Sequence, residues 1–379
     1  MELAPHQEFQ RCVGKYGGDY KVKDFSCWDQ LLAMTFAQLA YRESLRETVA
    51  VLASAERQLY HMGFRAKPRL NTLANANKTR DWRIFQDFAL LLIKRELDFG
   101  QGQDFTPELN LKDAVYALDS TTIDLCLSLF RWAKFRRRKG AVKMHTVLDV
   151  RSFMPCAIYV SDGKFHDVRM LDLLSLEEGA FYIMDKAYID FLRLFRFNMA
   201  KAFFVTRAKE NLDFRCLESK AVVPEDGVIS DMMIKLQGVK SGKLYPLPLR
   251  RVRFRDAETN RIFVFLTNNF SLPAKAIAAL YKCRWRIEVF FRWVKQNLRV
   301  KSFFGTSPNA VKTQLWIALI VYALVISLRR QLRLKQSPGL LLQILGVHLF
   351  EKVPVQELLV ENQKEFLNNE FCNQLRLFD

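Results

Sequence analysis

The sequence predicts an α/β fold, in which a mixed sheet is flanked by helices, a β-rich insertion precedes the last site-bearing helix, and an all-helical N-terminal domain comes first. Three observations predict it. Apolar residues follow a helical period through residues 27 to 98, break into short strand-like runs after the polar stretch Gly100 to Glu108, and return to a helical period from about Pro273. With 379 residues, half of them hydrophobic, the chain is long enough to bury more than one core.

In the N-terminal part, Ser44 and Glu47 form a capping-box signature ahead of Leu45, Val49 and Leu52. Asn71 is placed to cap a short helix through Ala76, and Thr79 a longer one through Trp82, Phe85, Phe88 and Leu92. Arg65, Lys67, Arg69, Lys78, Arg80 and Arg83 surround the middle helix. That arrangement reads equally as a helix-turn-helix-like DNA reader or as a plain helical bundle.

Strands are expected at Ala114 to Leu118, Ala141 to Val150, Pro155 to Val160, Ala180 to Met184 and Ala202 to Thr206, with helices from Val168 to Leu176 and from Tyr188 to Phe197. Residues 208 to 260 carry turn signals at Pro224 to Gly227 and Ser241-Gly242 and alternation around Val252, the marks of a β-rich insertion. A strand at Ile262 to Thr267 leads into one long helix from about Pro273 to Arg299, and Leu315 to Leu328 reads as a buried helix packed on the sheet. The expected domains are 1–100, helical; 110–207 with 261–330, the sheet domain; 208–260, the insertion; and 331–379, a helical C-terminal segment.

Lys and Arg outnumber Asp and Glu by 58 to 40, a net charge of +18, which points to a polyanionic partner. The charge is concentrated: residues 251 to 350 hold 17 basic and 3 acidic side chains, and so carry 14 of the 18 net charges. An anionic membrane surface is the other class of partner for such charge, but neither terminus shows a basic amphipathic helix. The 14-residue apolar run falls short of the roughly 20 residues a spanning helix needs, and no charged-then-apolar leader is visible, so a cytoplasmic protein without membrane contact is expected. Seven scattered cysteines without a C-x-x-C pair argue against both a disulfide framework and a zinc site.

Familiar catalytic motifs are missing. No G-x-G-x-x-G, H-E-x-x-H or G-x-S-x-G occurs, and Gly238 to Lys243 is one residue short of a phosphate loop with Leu244 in place of its hydroxyl residue, so no nucleotide cofactor is expected. The histidines, His6, His61, His145, His166 and His348, lack metal-ligand spacing and read as structural. What stands out is acids at strand ends. Asp119 and Asp185 each close an apolar run and would share the sheet's carboxyl edge, where hard divalent ions take carboxylate oxygen. On the long helix Tyr281, Arg284, Glu288 and Lys295 fall within about 60° of one another, beside an apolar stripe of Leu280, Ile287, Phe291, Val294 and Leu298. Glu288 is the only acid between Glu258 and Glu351.

These residues resemble the DDE transposases of bacterial insertion sequences, in particular the insertion-sequence-four family. Its third block, Tyr-x2-Arg-x3-Glu-x6-Lys, is matched without a gap by Tyr281, Arg284, Glu288 and Lys295. Asp185, Ala187 and Tyr188 match the second block, and Asp119, Ser120 and Thr121 the first, over roughly residues 110 to 330.

The resemblance implies an RNase H-like sheet domain in which Asp119, Asp185 and Glu288 are the catalytic metal ligands of two Mg2+ ions, with Mn2+ able to substitute. It assigns Tyr281, Arg284 and Lys295 to DNA phosphates, and it implies cut-and-paste transposition through a hairpin, with the helical N-terminal domain on the terminal inverted repeats and a homodimer on double-stranded element and target DNA. The basic run Arg131 to Lys139, with Trp132 and Phe135, is a further candidate for DNA backbone. Trp132, Trp285 and Phe254 are candidates to hold a flipped base. The alternatives are an RNase H-like metal-dependent nuclease that cuts without joining, and a catalytically silent DNA-binding descendant.

Overall fold

The computed structural model describes residues 4–100, 111, 113–126, 128–130, 132–136, 139–222, 226–300, 302–351, 357 and 359. Much of the expected C-terminal segment and part of the basic run at 131–139, including residues 131, 137 and 138, lie outside the described residues. The chain forms two compact units, residues 1–96 with 292–379, and residues 97–291.

The first unit is helical: α1 (His6–Tyr16), α2 (Cys27–Leu39), α3 (Leu45–Ser54), α4 (Glu56–Leu59), α5 (Leu70–Thr79) and α6 (Arg83–Gly100). Ser44 does cap α3, accepting from the Glu47 amide at 3.1 Å, although the Glu47 carboxylate bonds the Glu43 amide rather than that of the cap. The next two caps are not where the spacing put them. Asn71 lies inside the first turn of α5, which begins at Leu70. Thr79 is the last residue of α5, its hydroxyl turned back to the Asn75 carbonyl at 2.8 Å. The start of α6 is served instead by Asp81, which accepts from the Arg83 amide at 2.9 Å.

The apolar run belongs to α11 (Pro308–Gln331), for which Ser307 and Pro308 supply a cap and a first-turn proline. It was expected on the sheet; it packs instead on α2, α5 and α12 (Pro338–Val347) in its own unit. Helix α11 has 24 residues and is long and apolar enough to cross a membrane by length and composition, but 78% of its most apolar window is buried within the structure, as in the core helix of a globular unit.

The second unit is built on one sheet of ten strands: β1 (Val115–Leu125), β2 (Lys134–Arg136), β3 (Lys139–Asp149), β4 (Met154–Asp162), β5 (Phe181–Met184), β6 (Phe203–Arg207), β7 (Phe214–Lys220), β8 (Val228–Leu236), β9 (Leu249–Arg255) and β10 (Ile262–Thr267). At its heart the spatial order is β4-β3-β1-β5-β6. The first three strands are antiparallel, and β1, β5 and β6 run parallel. This is the RNase H-like arrangement. Beyond β6 the sheet continues antiparallel through β10, β9, β8 and β7, so the insertion extends the same sheet. A short helix, α8 (Val239–Leu244), joins β8 to β9.

Two helical expectations in this unit change form. Residues Asp167–Leu173 make a 3₁₀ helix, and after a second 3₁₀ turn at Lys186–Tyr188 the α-helix α7 spans Phe191–Met199. The single helix expected over 273–299 is two: α9 (Ala274–Lys282) and α10 (Trp285–Asn297). Between them the amides of Arg284, Arg286 and Ile287 bond the carbonyls three residues back, at 3.0, 3.1 and 3.2 Å, so the chain winds tighter there than an α-helix. The apolar stripe survives the change, with Leu280, Ile287, Phe291, Val294 and Leu298 all buried.

Candidate active site

Asp119 is not at a strand end. It is the fifth of eleven residues in β1, while Asp185 directly follows β5. The expected edge position fails for Asp119 because β1 continues past the apolar run through Ser120, Thr121 and Thr122, whose β-pairing with β3 holds to Leu125. The parallel register nevertheless makes the two acids neighbours: Leu118 pairs with Met184, and Asp119 and Asp185 are the residues that follow that pair in the chain. Adjacent strands lie about 4.8 Å apart, so the carboxylates start from closely spaced backbone.

The junction between α9 and α10 brings the third acid. Arg284 donates to Oδ2 of Asp119 at 3.1 Å and to Oε1 of Glu288 at 2.5 Å. Tyr281, at the end of α9, donates its hydroxyl to Oδ1 of Asp185 at 3.5 Å, with its ring packed on Phe265 of β10 at 4.9 Å between centroids. Five of the six predicted site residues thus fall into two bonded groups of the sheet unit, Asp119 with Arg284 and Glu288, and Asp185 with Tyr281, and the Arg284 guanidinium lies 5.8 Å from the centroid of the Tyr281 ring between them. Lys295 lies seven residues beyond Glu288 on the same helix, in the part of α10 that belongs to the helical unit.

The electrostatics of the cluster follow from burial. Desolvation pushes the Asp119 carboxyl up to about 6; Glu288 and Asp185 push the same way, while the Ser120 amide, at 2.8 Å, and Arg284 oppose them. Burial likewise pushes the Tyr281 phenol up to about 12. Two of the three carboxylates share the Arg284 guanidinium, and a further cation would balance the remaining negative charge. Their all-oxygen donor set suits a hard divalent cation. Arg284 now holds two of the three acids, and among the described residues no three His, Cys, Asp or Glu side chains stand close enough to grip an ion as they are.

A group that sequence reasoning passed over lies behind Asp119. Ser120, on the opposite face of β1, donates to Oδ1 of Asp167 at 2.5 Å, and Lys143 donates to both oxygens of that carboxylate at 3.1 Å. His145, fully buried, has Nδ1 3.4 Å from the same carboxylate and Nε2 2.9 Å from the Ser161 hydroxyl. His145 is therefore joined to this group through Asp167 and Ser161. Across β1 and β3 Ser120 faces His145 and Thr122 faces Lys143, a register that the local sequence does not announce.

Of the six cations expected around the middle N-terminal helix, Arg80 is spent on the carbonyls of Phe25 and Ser26 and on Gln30, Arg83 pairs with Asp81, and Lys67 pairs with Glu56.

Comparison with known proteins agrees with this architecture. The transposase DDE domain matches residues 110–324, and a domain of unknown function matches residues 1–65. A Sinorhizobium fredii protein named as the transposase y4zB is 37% identical over 262 residues, 68% of this chain and 71% of its own length. A Geobacillus stearothermophilus protein named as the transposase of insertion sequence element IS5377 is 34% identical over 212 residues, 55% of either chain. A Synechocystis protein named as the transposase of element IS4SA is 23% identical over 271 residues, 68% of this chain and 70% of its own. With more than half its length matched by the transposase DDE domain and a sheet unit of RNase H-like order, this chain belongs to the DDE transposases.

Proposed function

We propose that this protein is the transposase of a bacterial insertion sequence, of the insertion-sequence-four type, that cuts the ends of its element and joins them to target DNA. One observation carries the reading: Asp119 and Asp185 each follow one of a pair of facing residues on neighbouring parallel strands, and the guanidinium of Arg284 bridges Asp119 to Glu288.

In this reading Asp119, Asp185 and Glu288 hold divalent ions, two Mg2+ with Mn2+ as substitute. The chemistry those ions supply when bound is activation of an attacking oxygen and stabilisation of a leaving 3′-oxygen. The protein's own groups do the positioning. Arg284 and Tyr281, already at the carboxylates, are within reach of the phosphate at the cut, and Lys295 takes a second phosphate farther along the same helix. On the DNA, water attack nicks one strand at the element end, and the freed 3′-hydroxyl closes a hairpin on the other strand. The hairpin is then opened and the end transferred into target DNA. Helical residues 1–100 read the terminal inverted repeats, and the protein works as a homodimer on two paired ends.

The test is nicking of supercoiled DNA carrying the element ends, by wild type and Glu288→Gln in Mg2+. Wild type is expected to nick and the variant to lose at least a hundredfold while still binding the ends. Equal nicking by both would overturn the assignment of Glu288.

A further inference from the structure

Ser120 makes two hydrogen bonds of opposite purpose. Its backbone N–H donates to Oδ1 of Asp119 at 2.8 Å, on one face of β1, and its side-chain hydroxyl donates to Oδ1 of Asp167 at 2.5 Å, on the other. Side chains alternate faces along a strand, so one residue ties the acid in front to an anchor behind. Asp167 begins the 3₁₀ helix that follows β4. Its carboxylate is itself fixed: Lys143 bonds both oxygens, and Nδ1 of His145 lies 3.4 Å from the one that Ser120 also uses. His145 is held in turn by Ser161 on β4, and its ring lies against Phe165, 5.1 Å between centroids.

Such a group of charged and polar side chains needs a reason to sit behind a strand. Lys143 is mostly buried, with 14% of its side chain exposed, and an ion pair at that depth contributes little net stability compared with apolar packing. The Tyr188 hydroxyl is also brought here. It is buried beside Ser120, and it feels the charges of Asp119, Asp167 and Asp185 together. Ion-binding carboxylates are oriented by a second layer of hydrogen bonds, and loss of one such partner typically lowers ion affinity or activity about 10- to 100-fold.

We infer that Asp167, acting through the Ser120 hydroxyl, is a positioning residue for Asp119, and that the Lys143–Asp167–Ser120 chain sets the aim of that carboxylate toward divalent ions. The inference rests on the proposed role of Asp119 as an ion-binding residue. It assigns to Ser120, Lys143 and Asp167 a contribution that neither contacts DNA nor touches the reacting atoms.

The test compares wild type, Ser120→Ala, Ser120→Thr, Asp167→Asn and, as reference, Glu288→Gln. Mn2+ affinity is read from the free-ion electron paramagnetic resonance signal of the full-length protein, beside end-DNA binding in EDTA and thermal unfolding. Ser120→Ala and Asp167→Asn are expected to weaken Mn2+ binding about tenfold with end-DNA binding unchanged, and Ser120→Thr, which keeps the hydroxyl, to restore it. Ser120→Ala keeps the charge balance of the pair, so it decides the matter if Asp167→Asn fails to fold. If Ser120→Ala binds Mn2+ like wild type while Glu288→Gln does not, the positioning role is overturned and the active-site reading stands. A wild type that neither binds Mn2+ nor nicks DNA overturns both.

Discussion

Arg284 and Asp119 are 165 residues apart in the chain, and the guanidinium of one donates to the carboxylate of the other at 3.1 Å. The same guanidinium reaches Glu288 on its own helix, so a single cation balances two acids from different elements. Removing it leaves like charges facing each other in a partly desolvated cluster. Arg284→Met is therefore expected to lower stability in EDTA by roughly 1–3 kcal/mol and to show a larger rise in Tm on adding Mg2+ than wild type does. Equal Mg2+-induced shifts in the two proteins would contradict the idea that Arg284 and a divalent ion compensate the same charge.

Lys295→Ala is expected to weaken binding of element-end DNA and to reduce the slope of log affinity against log salt by about one. Fluorescence anisotropy across a salt series measures it, and an unchanged slope would exclude a phosphate contact.

In the insertion, Arg250 of β9 makes a two-pronged pair with Asp231 of β8, at 2.8 and 2.7 Å, and also bonds the carbonyls of Asn269 and Leu272 just ahead of α9. The pair is almost fully buried. Arg250→Met strands a buried carboxylate and frees the segment that leads into Tyr281. A loss of about 3–5 kcal/mol in denaturant unfolding is expected; a loss under 1 kcal/mol would mean that the pair is not needed to hold the insertion onto α9.

His145 gives the fold a pH dependence of definite sign. Burial pushes its imidazole from the ordinary 6.5 down to about 4, with Asp167 opposing the shift and Lys143 adding to it; Phe165 and Tyr159 close the surroundings. The unfolded chain then binds a proton that the native state refuses below 6.5. Stability from this group is complete above 6.5 and declines as pH falls from there toward 4, by about 3 kcal/mol in all. The difference in unfolding free energy between wild type and His145→Gln is expected to shrink or reverse in that window, and a difference that stays constant from pH 7 to 4.5 would refute the buried neutral imidazole.

Much of this was legible in the sequence. Strand positions in the sheet unit follow from short apolar runs, and the β10 expectation matches Ile262–Thr267 residue for residue. The spacing from Tyr281 to Glu288 placed three polar residues on one face, and it did so although the helix is interrupted, because a 3₁₀ turn advances each residue by about 120° rather than 100° and only a few residues are affected. What could not be read is what depends on register. Apolarity ends at Leu118, but β1 does not, since Ser120 and Thr122 find partners on β3 that no local signal announces. The same ignorance of register left Asp167 and Lys143 unremarked. For α11, apolarity on every side announced burial without naming the covering elements, which proved to be helices.

The central claim, that Asp119, Asp185 and Glu288 serve one divalent-ion site, is tested most directly by substituting Fe2+ for Mg2+ and mapping where ascorbate-driven radicals cut the polypeptide. The account predicts cuts clustered near residues 119, 185 and 288 together, suppressed by excess Mg2+ and lost in Asp119→Asn. Cuts near only one of the three positions, or a pattern unchanged by Asp119→Asn, would contradict it.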